Sequence, residues 1–159
     1  MIVVADTGPI NYLLLIGHIQ ILPTLFRQIV IPPAVLNELQ ATETPKEIRI
    51  WLASRPEWLH VQPTRAIEAS LVELDDGEQE AISLALEISA DLVLIDEAKG
   101  RQAALRLGLN ITGTLGVLAR AAKAGLIDLK TALERIQQTS FHVSPTVIRA
   151  LLEGGAKRE

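Results

Sequence analysis

The chain has 159 residues, of which 48% are hydrophobic and 21% are charged, and this balance excludes an intrinsically disordered protein. The formal net charge is -4, so a nucleic acid would have to meet a local basic strip, a bound metal or a groove between two subunits. The chain contains no cysteine, which excludes disulfides, cysteine-ligated zinc and thiol catalysis.

Short apolar runs alternate with helical patterns along the first part of the chain. Proline at the start of a pattern predicts the first turn of a helix, and apolar β-branched residues predict buried strands. In chain order we predict a strand at residues 2–5, a helix from Pro9 to about residue 16, a strand at 28–31, a helix at 33–40, a helix near 46–54 and a strand at 59–62.

The remainder of the chain continues the same alternation after the turn at Asp75, Asp76 and Gly77. Thr114 is interpreted as the cap of a helix, and the last residues, 154–159, are expected to be frayed. The predicted elements are a helix at residues 78–89, a strand at 91–95, a helix at 97–107, a strand at 109–111 and helices at 114–124, 129–138 and 145–152.

The predicted strands are apolar throughout and do not alternate with polar residues. This pattern is typical of parallel strands that are buried on both faces. We therefore expect an α/β fold, a three-layer α/β/α sandwich around a parallel sheet, in one domain spanning residues 1–159 and ordered over about 1–154. No apolar run reaches the roughly 18 residues of a membrane span, and the N-terminus lacks a signal-peptide pattern, so a cytoplasmic protein is expected.

Two of the predicted strands end directly in an aspartate, Asp6 and Asp96. Binding sites in open parallel sheets lie outside the carboxyl ends of the strands, so two such residues are expected to face one crevice. Aspartate is also a common turn residue and helix cap, which is the simpler interpretation of each one alone.

A third carboxylate, Glu78, is predicted to face inward. At 100° per residue it falls on the apolar side of its helix, whereas Glu80 and Glu87 fall on the polar side and are interpreted as solvated. The alternative is a capping box in which Asp75 is the N-cap and Glu78 is the third helical residue.

Glu38 is the fourth candidate, on the helix that follows the second strand, with Ala34 and Val35 on its face. Carboxylates gathered at one edge repel one another, and hard divalent cations such as Mg²⁺ or Mn²⁺ relieve that repulsion. A site of this kind suits metal-assisted phosphodiester hydrolysis. The three histidines, His18, His60 and His142, have no ligand spacing and are interpreted as structural or surface residues.

Four segments of the sequence resemble the PIN domain, and most closely a prokaryotic PIN-like subgroup related to the VapC toxins. They are Val-Val-Ala-Asp6-Thr7-Gly-Pro, Pro-Pro-Ala-Val-Leu-Asn-Glu38-Leu, Leu-Asp-Asp-Gly-Glu78-Gln-Glu-Ala-Ile and Leu-Val-Leu-Ile-Asp96-Glu-Ala-Lys-Gly-Arg101. The resemblance implies a five-stranded parallel sheet, endoribonuclease activity on an RNA substrate, a homodimer, and often a small antitoxin protein that blocks the pocket. It also implies a catalytic and Mg²⁺- or Mn²⁺-binding set of Asp6, Glu38, Glu78 and Asp96.

Other residues near these four are candidates for substrate contacts. Thr7 matches a hydroxyl that often follows the first aspartate in the family, Arg101 is expected to contact phosphate, and Thr114 is a candidate as well as a helix cap. Glu97 and Thr112 remain open as further members.

The sequence also departs from the family pattern at two positions. Glu78 stands where many relatives have aspartate, and Leu94 where a threonine or serine is common. These departures keep a second hypothesis open, a catalytically weak or silent PIN-like module that binds nucleic acid or protein.

Overall fold

The computed structural model describes residues 1–157 and contains one five-stranded parallel sheet. The strands stand in the order β3-β2-β1-β4-β5. Their bounds are β1 Val3–Ala5, β2 Ile29–Ile31, β3 Leu59–Val61, β4 Leu92–Leu94 and β5 Ile111–Thr112.

Helices connect the strands and cover both faces of the sheet. Their bounds are α1 Thr7–Leu15, α2 Ile21–Phe26, α3 Pro33–Gln40, α4 Lys46–Ala53, α5 Asp76–Glu87, α6 Ala98–Arg106, α7 Thr114–Lys123, α8 Leu129–Gln137 and α9 Pro145–Lys157, with a 3-10 turn at Ala69–Leu71. None of the described helices is long and apolar enough to cross a membrane.

Successive side chains of each strand point to opposite faces, so the sheet separates two hydrophobic cores. Val3 and Ala5 belong to the larger core, which they share with α1 to α4 and α7 to α9. Val4 of β1 belongs to the smaller core, which contains α5, α6 and Leu71. The arrangement is the predicted three-layer sandwich, and both the parallel sheet and its five strands are confirmed.

The chain changes direction across the sheet between β1 and β4. β2 and β3 extend to one side of β1, whereas β4 and β5 lie on the other, and Ala5 is in register with Leu94. Such a switch point opens a crevice outside the carboxyl ends of the two strands. The two strands that end in Asp6 and Asp96 are therefore the pair that borders this crevice.

Some predicted boundaries differ from those of the structure. Helix α1 begins at Thr7 rather than at Pro9, and the sequence did not predict α2, which contains Pro23. Both prolines stand third in their helices, where the backbone N–H has no partner within the helix and proline is tolerated. Helix α9 has the bounds Pro145–Lys157 and so extends beyond the predicted end at residue 152, and residues 158–159, which belong to the segment expected to be frayed, lie outside the described part.

Candidate acidic site

Asp6 is buried at the carboxyl end of β1. Its side chain is 6% exposed, makes no capping hydrogen bond to α1, and leaves Oδ1 without a partner. Burial raises the pKa of Asp6 to about 7, although the backbone N–H of Thr7 lowers it. Neighbouring negative charges add to the rise, and they belong to Asp75, Glu38 and Asp96.

Asp96 lies beside it at the end of β4 and is held by the first residue of α7. The backbone N–H and the hydroxyl of Thr114 each donate to a different oxygen of Asp96, both at 2.7 Å. Burial raises the pKa of Asp96 against these two bonds and the positive charge of Arg101. The guanidinium of Arg101 donates to the carbonyl of Ile95 at 3.0 Å, which keeps it close to this carboxylate.

Glu38 approaches from α3 and is half-buried. Its Oε2 accepts a hydrogen bond from the hydroxyl of Thr7, which belongs to the first turn of α1. Burial raises the pKa of Glu38, the Thr7 bond lowers it, and the negative charge of Asp75 raises it again. Thr7 thus joins the helix after β1 to the helix after β2 at the edge of the crevice.

Glu78 faces inward from the first turn of α5, as its helical angle predicted. It is 6% exposed, and its Oε2 has no hydrogen-bond partner. Burial raises the pKa of Glu78 to about 8, and the hydrogen bonding and charge of Asp75 raise it further. Half of the alternative capping box is present as well, because Asp75 is the N-cap and its Oδ1 accepts the backbone N–H of Glu78 at 2.8 Å.

Glycines allow these side chains to approach their neighbours closely. A Cβ atom on Gly8 would lie 2.8 Å from Oδ2 of Asp96, and one on Gly113 would lie 2.7 Å from Oδ1. A Cβ on Gly77 would overlap Oε1 of Glu38 in the same way, and one on Gly100 would overlap Oε2 of Glu78. Sequence reasoning missed this role, although Gly8, Gly77 and Gly100 stand in the same segments as the acids.

The acidic site, meaning Asp6, Glu38, Glu78 and Asp96, thus lies at the carboxyl edge of the sheet. Within residues 1–157, however, no group of three acidic or histidine side chains is arranged to hold a metal ion as the side chains stand. The donor chemistry still fits a hard divalent cation, because two buried carboxylate oxygens lack partners and the pKa values of all four groups are raised.

Two interpretations from the sequence need correction. Thr114 is not the N-cap of α7, which is Gly113. It is completely buried, and its backbone N–H and hydroxyl both donate to Asp96, so it positions that carboxylate. Glu80 is not simply solvated, because its Oε1 accepts the backbone N–H of Ala34 at 3.0 Å and so satisfies the N-terminus of α3. Glu87 is exposed, in agreement with its predicted position, and its Oε1 accepts the backbone N–H of Arg65 at 2.9 Å.

The remaining candidates line two different cavities. Glu97 and Lys99 line a cavity of about 300 Å³ together with Glu78. Thr112 instead lines a larger groove of about 880 Å³ between α7, α8 and α9, and none of the four acids contributes to that groove. The acidic site therefore borders the small polar cavity through Glu78 and is separate from the groove between α7, α8 and α9.

Comparison with known proteins agrees with the observed fold. A family model described as PIN domain (DUF3368) matches residues 2–156. Among solved structures, the chain is similar to a PilT N-terminus domain protein from the hyperthermophilic archaeon Sulfolobus solfataricus P2, with a TM-score of 0.54 and 16% identity over 91% of this chain and 100% of that one. At this identity the likeness shows the fold alone. The search of curated proteins found no match.

Proposed function

Because the chain belongs to the PIN-domain family, whose fold is generally that of a nuclease, we propose that it hydrolyses phosphodiester bonds at the acidic site. One observation carries this proposal: Asp6 and Glu78 are buried at the switch point of the sheet, and each has an oxygen without a partner. Burying a carboxylate without compensation is costly, so such residues are retained where a ligand supplies the compensation.

We propose Mg²⁺ or Mn²⁺ as that ligand, held by Asp6, Glu38, Glu78 and Asp96. The bound cation would neutralise charge on the scissile phosphate and lower the pKa of a bound water. The hydroxyl of Thr7 orients Glu38. Because the pKa values of the acids are raised, protons must leave them as the cation binds, so binding strengthens with pH.

The proposed substrate is RNA. Because the net charge of the chain is -4, the RNA phosphates must bind to a local group of basic side chains. Arg101 lies next to Asp96, and Lys99 lines the entrance of the crevice. Both lie on α6, and we assign them to the phosphates that flank the cleaved bond. Their contribution should weaken with added salt, as phosphate contacts do.

The biological role proposed here follows the family resemblance. We infer a cytoplasmic endoribonuclease that acts as the toxin of a toxin–antitoxin pair, works as a homodimer and is blocked by a small antitoxin protein. Sedimentation of the purified protein tests the dimer, and a neighbouring gene for a small antitoxin-like protein tests the pairing.

Cleavage of a structured RNA by the purified protein tests the central proposal. Activity should appear with Mg²⁺ or Mn²⁺ and stop with EDTA. Asp6→Asn and Glu78→Gln should each lower the rate by at least about 100-fold, since even partners that only orient a metal ligand cost about 10- to 100-fold. Glu87→Gln, on the exposed end of α5, is the matched control and should leave the rate unchanged. Equal rates for wild type and Asp6→Asn would reject the proposed site.

A second candidate function is a binding module with a silent site. Two observations favour it: both oxygens of Asp96 are already bonded to Thr114, and no three acids of the described chain converge on one point. The melting temperature distinguishes the two functions. A cation that binds only the folded state at 100 times its Kd adds about 2.7 kcal/mol of stability. A rise with Mn²⁺ that is lost in Asp6→Asn with Asp96→Asn supports the nuclease, whereas nucleic-acid binding without any rise supports the binding module.

A further inference from the structure

A small acidic cavity forms the entrance to the site between the N-termini of α5 and α6. It has a volume of about 300 Å³ and is lined by Glu73, Leu74, Asp75, Glu78, Glu97, Ala98 and Lys99. Four of these seven residues are acidic and one is basic, so the cavity concentrates negative charge on one side of the crevice. Sequence reasoning placed only Glu78 among the site residues.

A second observation distinguishes this cavity from an ordinary acidic surface. Glu78 forms part of its wall, is 6% exposed, and leaves Oε2 without a hydrogen-bond partner. Gly100, the residue after Lys99 on α6, makes room for this oxygen, because any larger side chain there would overlap it. Glu78 therefore brings to the wall of the cavity a carboxylate with a buried oxygen that has no partner within the described chain.

Asp75 lies beside this acceptor in a fixed position. Its backbone is extended, and its Oδ1 accepts the backbone N–H of Glu78 at 2.8 Å. Burial is the largest cause of the raised pKa values of Asp6, Glu38 and Glu78, and the charge of Asp75 is the strongest neighbouring charge that raises them further. The charge of this one carboxylate therefore raises the pKa of three of the four acids, although the sequence did not predict Asp75 as a metal ligand.

We propose that Asp75 is a fifth carboxylate of the cation-binding centre, which draws a divalent cation into the cavity and shares it with Glu78. The inference rests on the proposed metal-dependent function and extends it to a residue that would otherwise be only a helix cap. Asp128 shows what such a cap does alone, because it accepts the backbone N–H of Thr131 at the start of α8 in the same way and lies outside the acidic site.

Asp75→Asn separates the two roles of this side chain, since asparagine caps helices about as well as aspartate but carries no charge. Calorimetric titration with Mn²⁺ in the metal-free protein should give a Kd at least about tenfold weaker than that of wild type, within the range seen for residues that support a metal ligand. The melting temperature without metal should stay equal or rise, because a repulsive charge near Glu78 has gone. Asp128→Asn is the matched control and should bind Mn²⁺ like wild type.

The outcomes separate this inference from the function on which it rests. If wild type and Asp75→Asn bind Mn²⁺ equally, Asp75 is a cap alone and the inference is rejected, while the metal-dependent nuclease stands. If wild type binds no Mn²⁺, both are rejected. A weaker Kd in Asp75→Asn, with equal or higher stability of the metal-free protein and an unaffected Asp128→Asn, supports a role that capping cannot explain.

Discussion

At the scale of single residues, the acids of the site combine burial with missing partners. Asp6 and Glu78 each keep one oxygen unbonded, whereas Asp96 and Glu38 are held by threonine hydroxyls. The fold therefore carries an electrostatic cost at this position, which decreases when a proton or a cation neutralises the carboxylates.

The first prediction concerns the pH dependence of stability without metal. The folded-state pKa values of Asp6 and Glu78, about 7 and about 8, exceed the ordinary values of 3.8 and 4.5. The folded state thus binds protons more tightly, so the contribution of these groups is complete below about pH 4 and is lost as the pH rises through about 7 to 8. Melting temperatures measured in EDTA should fall over that window. Asp6→Asn with Glu78→Gln should flatten the curve, and a wild-type curve that rises there contradicts the shifts.

The second prediction concerns Gly100, where an added methyl group would overlap Oε2 of Glu78 and lie 2.6 Å from Cδ1 of Ile95. Gly100→Ala should destabilise the protein by about 1 to 3 kcal/mol, the usual cost of overpacking a core. Gly154→Ala is the matched helical control, because a Cβ added at this position of α9 would have no neighbour within 4 Å. This substitution should be neutral or stabilising. Denaturant unfolding measures both, and equal effects would show that Gly100 has free space.

The sequence predicted three of the four acids from local signals, two from strand ends and one from a helical angle, whereas Glu38 was a candidate only because it accompanied the other three. It did not predict that the hydroxyl of Thr114 donates to Asp96, or that Glu80 accepts a backbone N–H of α3. The two residues of each pair lie 18 and 46 positions apart in the sequence. Contacts of this kind depend on how helices pack, which a single sequence does not reveal.

At the scale of elements, the carboxyl end of β4 and the N-terminus of α7 form one unit. Thr114, at the start of the helix, donates twice to Asp96, just beyond the strand. The helix therefore supplies both a hydroxyl and a backbone N–H to a carboxylate, an arrangement that the positive end of the helix dipole favours.

The third prediction tests this unit with Thr114→Val, which keeps the shape of the side chain and removes its hydroxyl. The loss leaves Oδ2 of Asp96 without its donor and should cost about 1 to 3 kcal/mol of stability. Thr131→Val removes a similar hydroxyl bond to Asp128 on the exposed start of α8, so it should cost less. Chemical denaturation of both variants measures the difference, and a larger loss in Thr131→Val would show that Thr114 is unimportant.

The elements themselves were predictable to different degrees. Helix α3 has the predicted bounds because two prolines mark its start, whereas α2 is short, apolar and contains Pro23. The last strand was predicted at residues 109–111 and lies at Ile111–Thr112, because its hydrogen bonds to β4 set its position rather than its composition.

At the scale of the whole molecule, the sheet joins the two cores. β1 contributes Val3 to the larger core and Val4 to the smaller one, and β4 divides its side chains in the same way. If either core unfolded, side chains of β1 and β4 would be exposed, and the same two strands also pack in the other core. The layers were predictable from the apolar strands, but the strand order was not, because it depends on which connection crosses the sheet.

The fourth prediction follows from this sharing: the chain should unfold in a single cooperative transition. Trp51 and Trp58 both pack against the larger core, so their fluorescence reports on one side of the sheet. Far-ultraviolet circular dichroism reports on all helices. The two signals should change at the same denaturant concentration, and an earlier fluorescence transition would show that the larger core unfolds alone.

The position of β4 beside β1 also determines when the environment of Asp6 is complete. Until Leu92–Leu94 dock, β1 is an open edge, and Asp6 lacks the carbonyl of Leu94 that accepts its backbone N–H at 2.9 Å. A chain emerging from the ribosome would carry Asp6 as an ordinary hydrated carboxylate until more than ninety residues had been made. The pKa of the Asp6 side chain, followed by carbon-13 NMR, would then report when β4 has paired with β1.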